Sequence, residues 1–113
     1  MTIIREPINI SDIIEMASNR YGDMVKAVAD VRRELVAVDS DLHSDLETLL
    51  LEDGSMQEDL WGYNIYPELE GEEFIEFDSL INIRPRQSNF SRNVEDVQIQ
   101  KAIIDITNKY IQR

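Results

Sequence analysis

The chain has 113 residues, 42% of them hydrophobic and 30% charged, with a formal net charge of −12. That length suits one domain, residues 1–113, with its own core, and the composition excludes a disordered segment. With no cysteine and a single histidine, a disulfide framework, a thiolate zinc site, a cysteine nucleophile and a paired-histidine zinc motif are excluded as well.

The N-terminal MTIIREPINI has no charged head followed by a long apolar run, so no leader is expected, and no run is long enough to span a membrane. A cytoplasmic protein without a cofactor is the expectation. Ile3-Ile4 and Ile8-Asn9-Ile10 flank Pro7 and read as short edge strands, where proline is tolerated. Ser11 is placed to cap a first helix over 11–21, with Ile10, Ile13, Ile14, Ala17 and Tyr21 at helical spacing and Gly22 as the stop. Met24 to Val38 fits either one helix or two strands. Its five valines favour a hairpin, although Arg32-Arg33 is a poor tight-turn pair.

Asp39 or Ser40 is placed to cap a second helix, whose apolar stripe is Leu42, Leu46, Leu49 and Leu50, ending at Asp53-Gly54. Leu60 to Tyr66 reads as a strand with Trp61, Tyr63 and Ile65 on one side. The spacing predicts a long strand over Phe74 to Ile83, with Ile75, Phe77, Ile81 and Ile83 toward the core and Glu76, Asp78, Leu80, Asn82 and then Arg84 on the other face. Asn93 is placed to cap the last helix, with Val97, Ile99, Ile103, Ile106 and Tyr110 as its stripe. The fold class is therefore α+β: an antiparallel sheet of about four strands packed by helices, in the order α-β-β-α-β-β-α. Its expected core is Val25, Val31, Trp61, Ile65, Ile75, Phe77, Ile81 and Ile83 from the sheet, with Leu42, Leu46, Leu49, Ile103 and Ile106 from the helices.

Charge is uneven along the chain. Residues 34–83 carry fifteen acidic side chains and no Lys or Arg, whereas residues 84–113 carry six basic and three acidic ones. Such a balance argues against nucleic-acid binding, because phosphates are repelled. The stretch Ile81 to Val97 breaks the pattern with Arg84, Arg86 and Arg92. With Asn89 and Ser91 in the loop, and Asp78 and Asn82 on the preceding strand, these residues form a candidate anion or ligand site ahead of a helix start. Against it stands pairing of the arginines with the chain's own carboxylates, and Glu95-Asp96 at that same helix start.

Other motifs are weaker. Asp39-Ser40-Asp41 opens like a calcium loop, but Ser44 and Leu50 stand where glycine and a bidentate glutamate are needed. No Gly-rich phosphate loop or GxSxG elbow is present. Asn89-Phe90-Ser91 matches a glycosylation acceptor, which carries little weight where no secretory leader is expected. His43 and Glu47, one helical turn apart, form a weak candidate metal pair, set against an exposed polar helix face. Trp61, Tyr63 and Tyr66 fit either a stacking platform or core.

The segments DMVKAVADVRRELVAV (23–38), LLLEDGSMQEDLWGYNIYPE (49–68) and FIEFDSLINIRPRQSNFSRNVED (74–96) together resemble a family of small prokaryotic proteins of unknown function, over nearly the whole chain. Its members tend to carry Gly-Gly where this chain has Asp39-Ser40, and Gly where it has Ser88. The resemblance implies a grouping and no activity.

The residues favour a small, non-enzymatic binding or interaction protein. It would use the arginine loop 84–92 or its acidic surface toward a protein or a small anionic ligand, and neither nucleic acid nor membrane. Two alternatives stand beside it: a metal-dependent, hydrolase-like enzyme around His43, and an acidic protein that mimics nucleic acid.

Overall fold

A computed structural model describes all residues, Met1–Arg113. The elements in order are β1 (Thr2–Ile4), β2 (Ile8–Asn9), α1 (Ile10–Asn19), β3 (Val25–Asp30), β4 (Leu35–Val38), α2 (His43–Glu52), β5 (Leu60–Ile65), β6 (Ile75–Glu76), α3 (Val97–Tyr110) and β7 (Ile111–Gln112). Five strands form an antiparallel sheet in the order β1-β4-β3-β5-β6, and β2 and β7 form a separate parallel pair. The class is α+β as expected. The sheet, however, has five strands rather than about four, because the N-terminal strand adds to the β4 edge, pairing Ile3 with Ala37.

Met24–Val38 is a hairpin. Asp30 makes its turn workable despite the two arginines: its Oδ1 accepts from the backbone N–H groups of Arg32 and Arg33 at 2.9 and 2.8 Å. Glu34 completes the turn at φ 56°.

Both faces of the sheet are covered. The α1 and α3 side buries Ile13 and Ala17, and Ile103, Ile106 and Tyr110, against Val25, Ala27, Ala29, Val36, Val38, Trp61, Tyr63 and Ile65. The α2 side buries Leu46 and Leu50 against Val28, Leu35, Ala37 and Leu60. Strands covered on both faces read as near-continuous apolar runs, which is what VKAVAD, LVAV and LWGYNI are. Trp61 and Tyr63 are core residues rather than a stacking platform, and the Tyr63 hydroxyl lies 2.8 Å from Thr107 Oγ1.

The largest correction concerns Phe74 to Ile83. Only Ile75–Glu76 pairs as a strand. Ser79 then turns the chain by accepting from the Ile81 N–H, and Leu80–Asn82 is a 3-10 turn. Period-two apolar spacing read as a strand, but local Ser and Asn side chains offered the backbone a competing set of hydrogen bonds. In consequence Ile81 packs on the α2 side, Ile83 is exposed, and Asp78, Asn82 and Arg84 do not share a strand face.

Helix starts also shift. Leu42 is the exposed N-cap of α2, not a core residue. Asp96, not Asn93, caps α3 by accepting from the Gln98 N–H, which leaves Val97 exposed. Asn9 precedes α1 in place of Ser11, while Gly22 ends that turn as expected, with φ 94°. Asp39 and Ser88 both adopt positive φ, 73° and 60°.

Candidate functional site

The arginine loop is built on an opening left by β6. Since β6 pairs only with Asn64 and Ile65, the outward N–H and C=O of Gly62 lack a strand partner. Asn82, fully buried, supplies both: its Oδ1 accepts from Gly62 N at 2.8 Å and its Nδ2 donates to Gly62 O at 2.9 Å. One carboxamide thus replaces a strand residue. Gly62 is required for this approach, because a Cβ there would lie 2.6 Å from Ser79 Oγ.

Arg84 closes the loop. Its Nε donates to Ile81 O at 3.0 Å, and its Nη1 donates to Gln57 O at 2.7 Å and to Gln87 Oε1 at 3.0 Å. Its Nη2 donates to Leu60 O, and the guanidinium stacks 4.4 Å from the Trp61 ring. Burial lowers its pKa. The backbones of Arg84 and Asn89 exchange hydrogen bonds of 2.8 and 3.2 Å around the turn Pro85–Gln87.

Asn89, also buried, donates to the carbonyls of Asn82, Ser91 and Asn93 and accepts from Glu95 N. Ser91 Oγ and Phe90 N–H both donate to Glu95 Oε2, at 2.7 and 2.8 Å, which lowers the pKa of that carboxyl. Arg92 pairs with Asp78 at 2.5 Å, with both side chains exposed. Of the residues singled out from the sequence, Asn82, Arg84 and Asn89 thus come together as a buried staple. Ser91, Arg92 and Asp78 bond to their neighbours at the surface. Arg86 alone is exposed with neither an ion pair nor a hydrogen bond.

The staple also determines what the loop shows to solvent. Residues next to a hydrogen-bonded antiparallel pair lie opposite each other on the other face. With Arg84 and Asn89 facing in, Ile83 and Phe90 therefore face out side by side. Leu80 stands three residues before Ile83 on a 3-10 turn, where such side chains eclipse. Leu80, Ile83 and Phe90 are 67%, 43% and 67% exposed. Nothing in the sequence signalled this patch, because Leu80 and Ile83 belonged to a predicted strand.

His43 and Glu47 do lie on one face of α2, but it is the inward one. His43 is 7% exposed, and its Nε2 lies 2.8 Å from Tyr63 O. A carbonyl only accepts, so Nε2 carries the hydrogen and Nδ1 keeps its lone pair. Burial pushes the imidazole pKa down to about 4. Beneath it Lys26, Asn64 and Glu76 line up in register across β3, β5 and β6. Asn64 Nδ2 donates to Glu76 Oε1 at 2.8 Å, and Tyr66 OH donates to the same oxygen at 3.1 Å. Buried Glu47 Oε2 and Asn64 Oδ1 have no partner. No group of three or more His, Cys, Asp or Glu side chains is placed to hold a metal ion. The sequence reading missed Lys26, Asn64 and Glu76, although a lysine and an asparagine inside otherwise apolar strands were the available signal.

Residues 2–110 match the model of the family described as "Protein of unknown function (DUF5674)". The chain belongs to that family, which brings no specific function with it. No curated protein and no solved structure matches the chain, and no helix is long and apolar enough to cross a membrane.

Proposed function

We propose that this is a non-enzymatic protein-interaction domain whose contact surface is the outer face of the arginine loop. The observation that carries the reading is the exposed trio Leu80, Ile83 and Phe90 on a loop held rigid by Asn82, Arg84 and Asn89. An apolar cluster on a pre-ordered backbone binds without an ordering cost. Arg86 beside it, free of any carboxylate, selects a partner that presents apolar side chains with an acidic group. Arg84 and Arg92, occupied by carbonyls and by Asp78, act on the shape of the loop rather than as the anion receptor.

Affinity capture from cells that make the protein, followed by reconstitution with the purified partner, tests this reading. Phe90→Asp and Leu80→Asp weaken the reconstituted complex roughly thirtyfold or more, as expected for central apolar anchors, and leave the melting temperature unchanged. Arg86→Glu weakens it less. A complex indifferent to all three variants would sink the proposal. So would sedimentation showing that the only species lost in Phe90→Asp is a dimer of the chain itself.

A further inference from the structure

A second surface lies between the last helix and the edge of the sheet. A cavity of about 630 Å³ opens between α3 and the β6 segment. Its floor is Phe74, Ile75 and Phe77, and its wall on α3 is Gln100, Ile104 and Asn108, at i, i+4 and i+8 of one helix face. β6 is the last strand of its sheet, so its outer edge has no strand beside it. The rim is acidic: Glu70 and Glu72 line it, and neither is ion-paired.

The chain's own Arg113 shows what this groove accepts. Its guanidinium stacks 4.2 Å from the Phe74 ring and donates to Leu69 O at 3.4 Å, beside Glu70 and Glu72. A cation over an aromatic face within an acidic rim is favourable on both counts. The volume falls in the range of small-ligand clefts, and Ile104 and Phe77 in its lining offer apolar anchorage.

The geometry points to a docking groove for a basic, apolar-anchored extended peptide segment of another protein, lying along the β6 edge with a Leu-sized side chain on Ile104 and Phe77 and with Lys or Arg at the glutamates. Edge-strand addition supplies the backbone bonds, and the groove supplies the selectivity. This surface is independent of the arginine-loop face.

The test is an NMR titration of the full chain with a capped hexapeptide of alternating Arg and Leu, and with its Arg–Ser counterpart. Saturable shifts confined to Ile75, Phe77, Ile104 and Asn108, seen with the Leu peptide only, support the assignment. Ile104→Ser, at an exposed position, abolishes them without loss of fold. Glu70→Gln combined with Glu72→Gln weakens binding about tenfold, with a steep salt dependence. Arg113→Ala strengthens it by removing a competing cation. Equal shifts with the Ser peptide, or shifts spread over every acidic surface, would reduce the groove to diffuse charge attraction and overturn the proposal. Loss of binding on Arg113→Ala would mark the ligand as anionic and overturn it too. Leu80→Asp leaves the titration unchanged, so failure here and failure at the arginine loop are told apart.

Discussion

Lowering the pH from 7 to 5 acts on one buried group whose contribution can be isolated. His43 titrates at about 4 in the folded chain, against an ordinary value of 6.5, because its ring is buried over Tyr63 and Asn64. The folded state therefore binds the proton less readily than the unfolded state, and stability contributed by the neutral ring is present above pH 6.5 and lost as the pH falls toward 4. Linkage places the loss at about 2 kcal/mol by pH 5 and about 3 kcal/mol by pH 4, a large share of a typical small domain's stability. Urea unfolding followed by the fluorescence of Trp61, the single tryptophan, measures it at each pH. His43→Gln serves as the reference, since Gln keeps an N–H donor for Tyr63 O while carboxylate titration is common to both proteins. The stability difference, wild type minus variant, falls by about 2 kcal/mol between pH 7 and 5. Parallel pH curves for the two proteins, or an imidazole that titrates near its ordinary value by NMR, would refute the argument.

Two further outcomes test the staple and the loop turn. Asn82→Ala leaves both Gly62 backbone groups and one contact to Arg92 O unmet, at a cost of about 3 kcal/mol or more in chemical denaturation, with faster hydrogen exchange at the Gly62 amide. Ser88 sits at φ 60° and the glycines that share positive φ carry no such strain. Ser88→Gly therefore raises stability by about 0.5–1 kcal/mol, the relief of a left-handed Cβ less the added chain entropy, which a shift of the urea midpoint reports.

Much of the fold was legible because it is written locally. The period of Ile13, Ala17 and of Ile103, Ile106, Tyr110 marks their helices. Valine content resolved Met24–Val38 into a hairpin, and Gly22 and Asp53-Gly54 stop their helices where expected. The segment after Glu76 was not legible. Its alternating Ile75, Phe77, Ile81 and Ile83 carry the signature of a strand, and only a side chain twenty residues away from Gly62, that of Asn82, decides that no strand is needed there.

The candidate site divides in the same way. Composition and charge order alone located the arginine loop as the break in an acidic chain, and chain spacing alone placed His43 and Glu47 on one helix face. Which way those groups point depends on what they meet. Arg84 turns inward because Ile81, Gln57 and Leu60 present carbonyls that no strand uses, and His43 turns inward because α2 lies across β5 with Tyr63 O beneath it. Periodicity assigns a residue to an element and a face, but hydrogen-bond vacancies arise only when distant elements pack. Tertiary structure therefore decided that Arg84 turns onto backbone carbonyls and Arg92 onto Asp78, while Leu80, Ile83, Phe90 and Arg86 stay exposed.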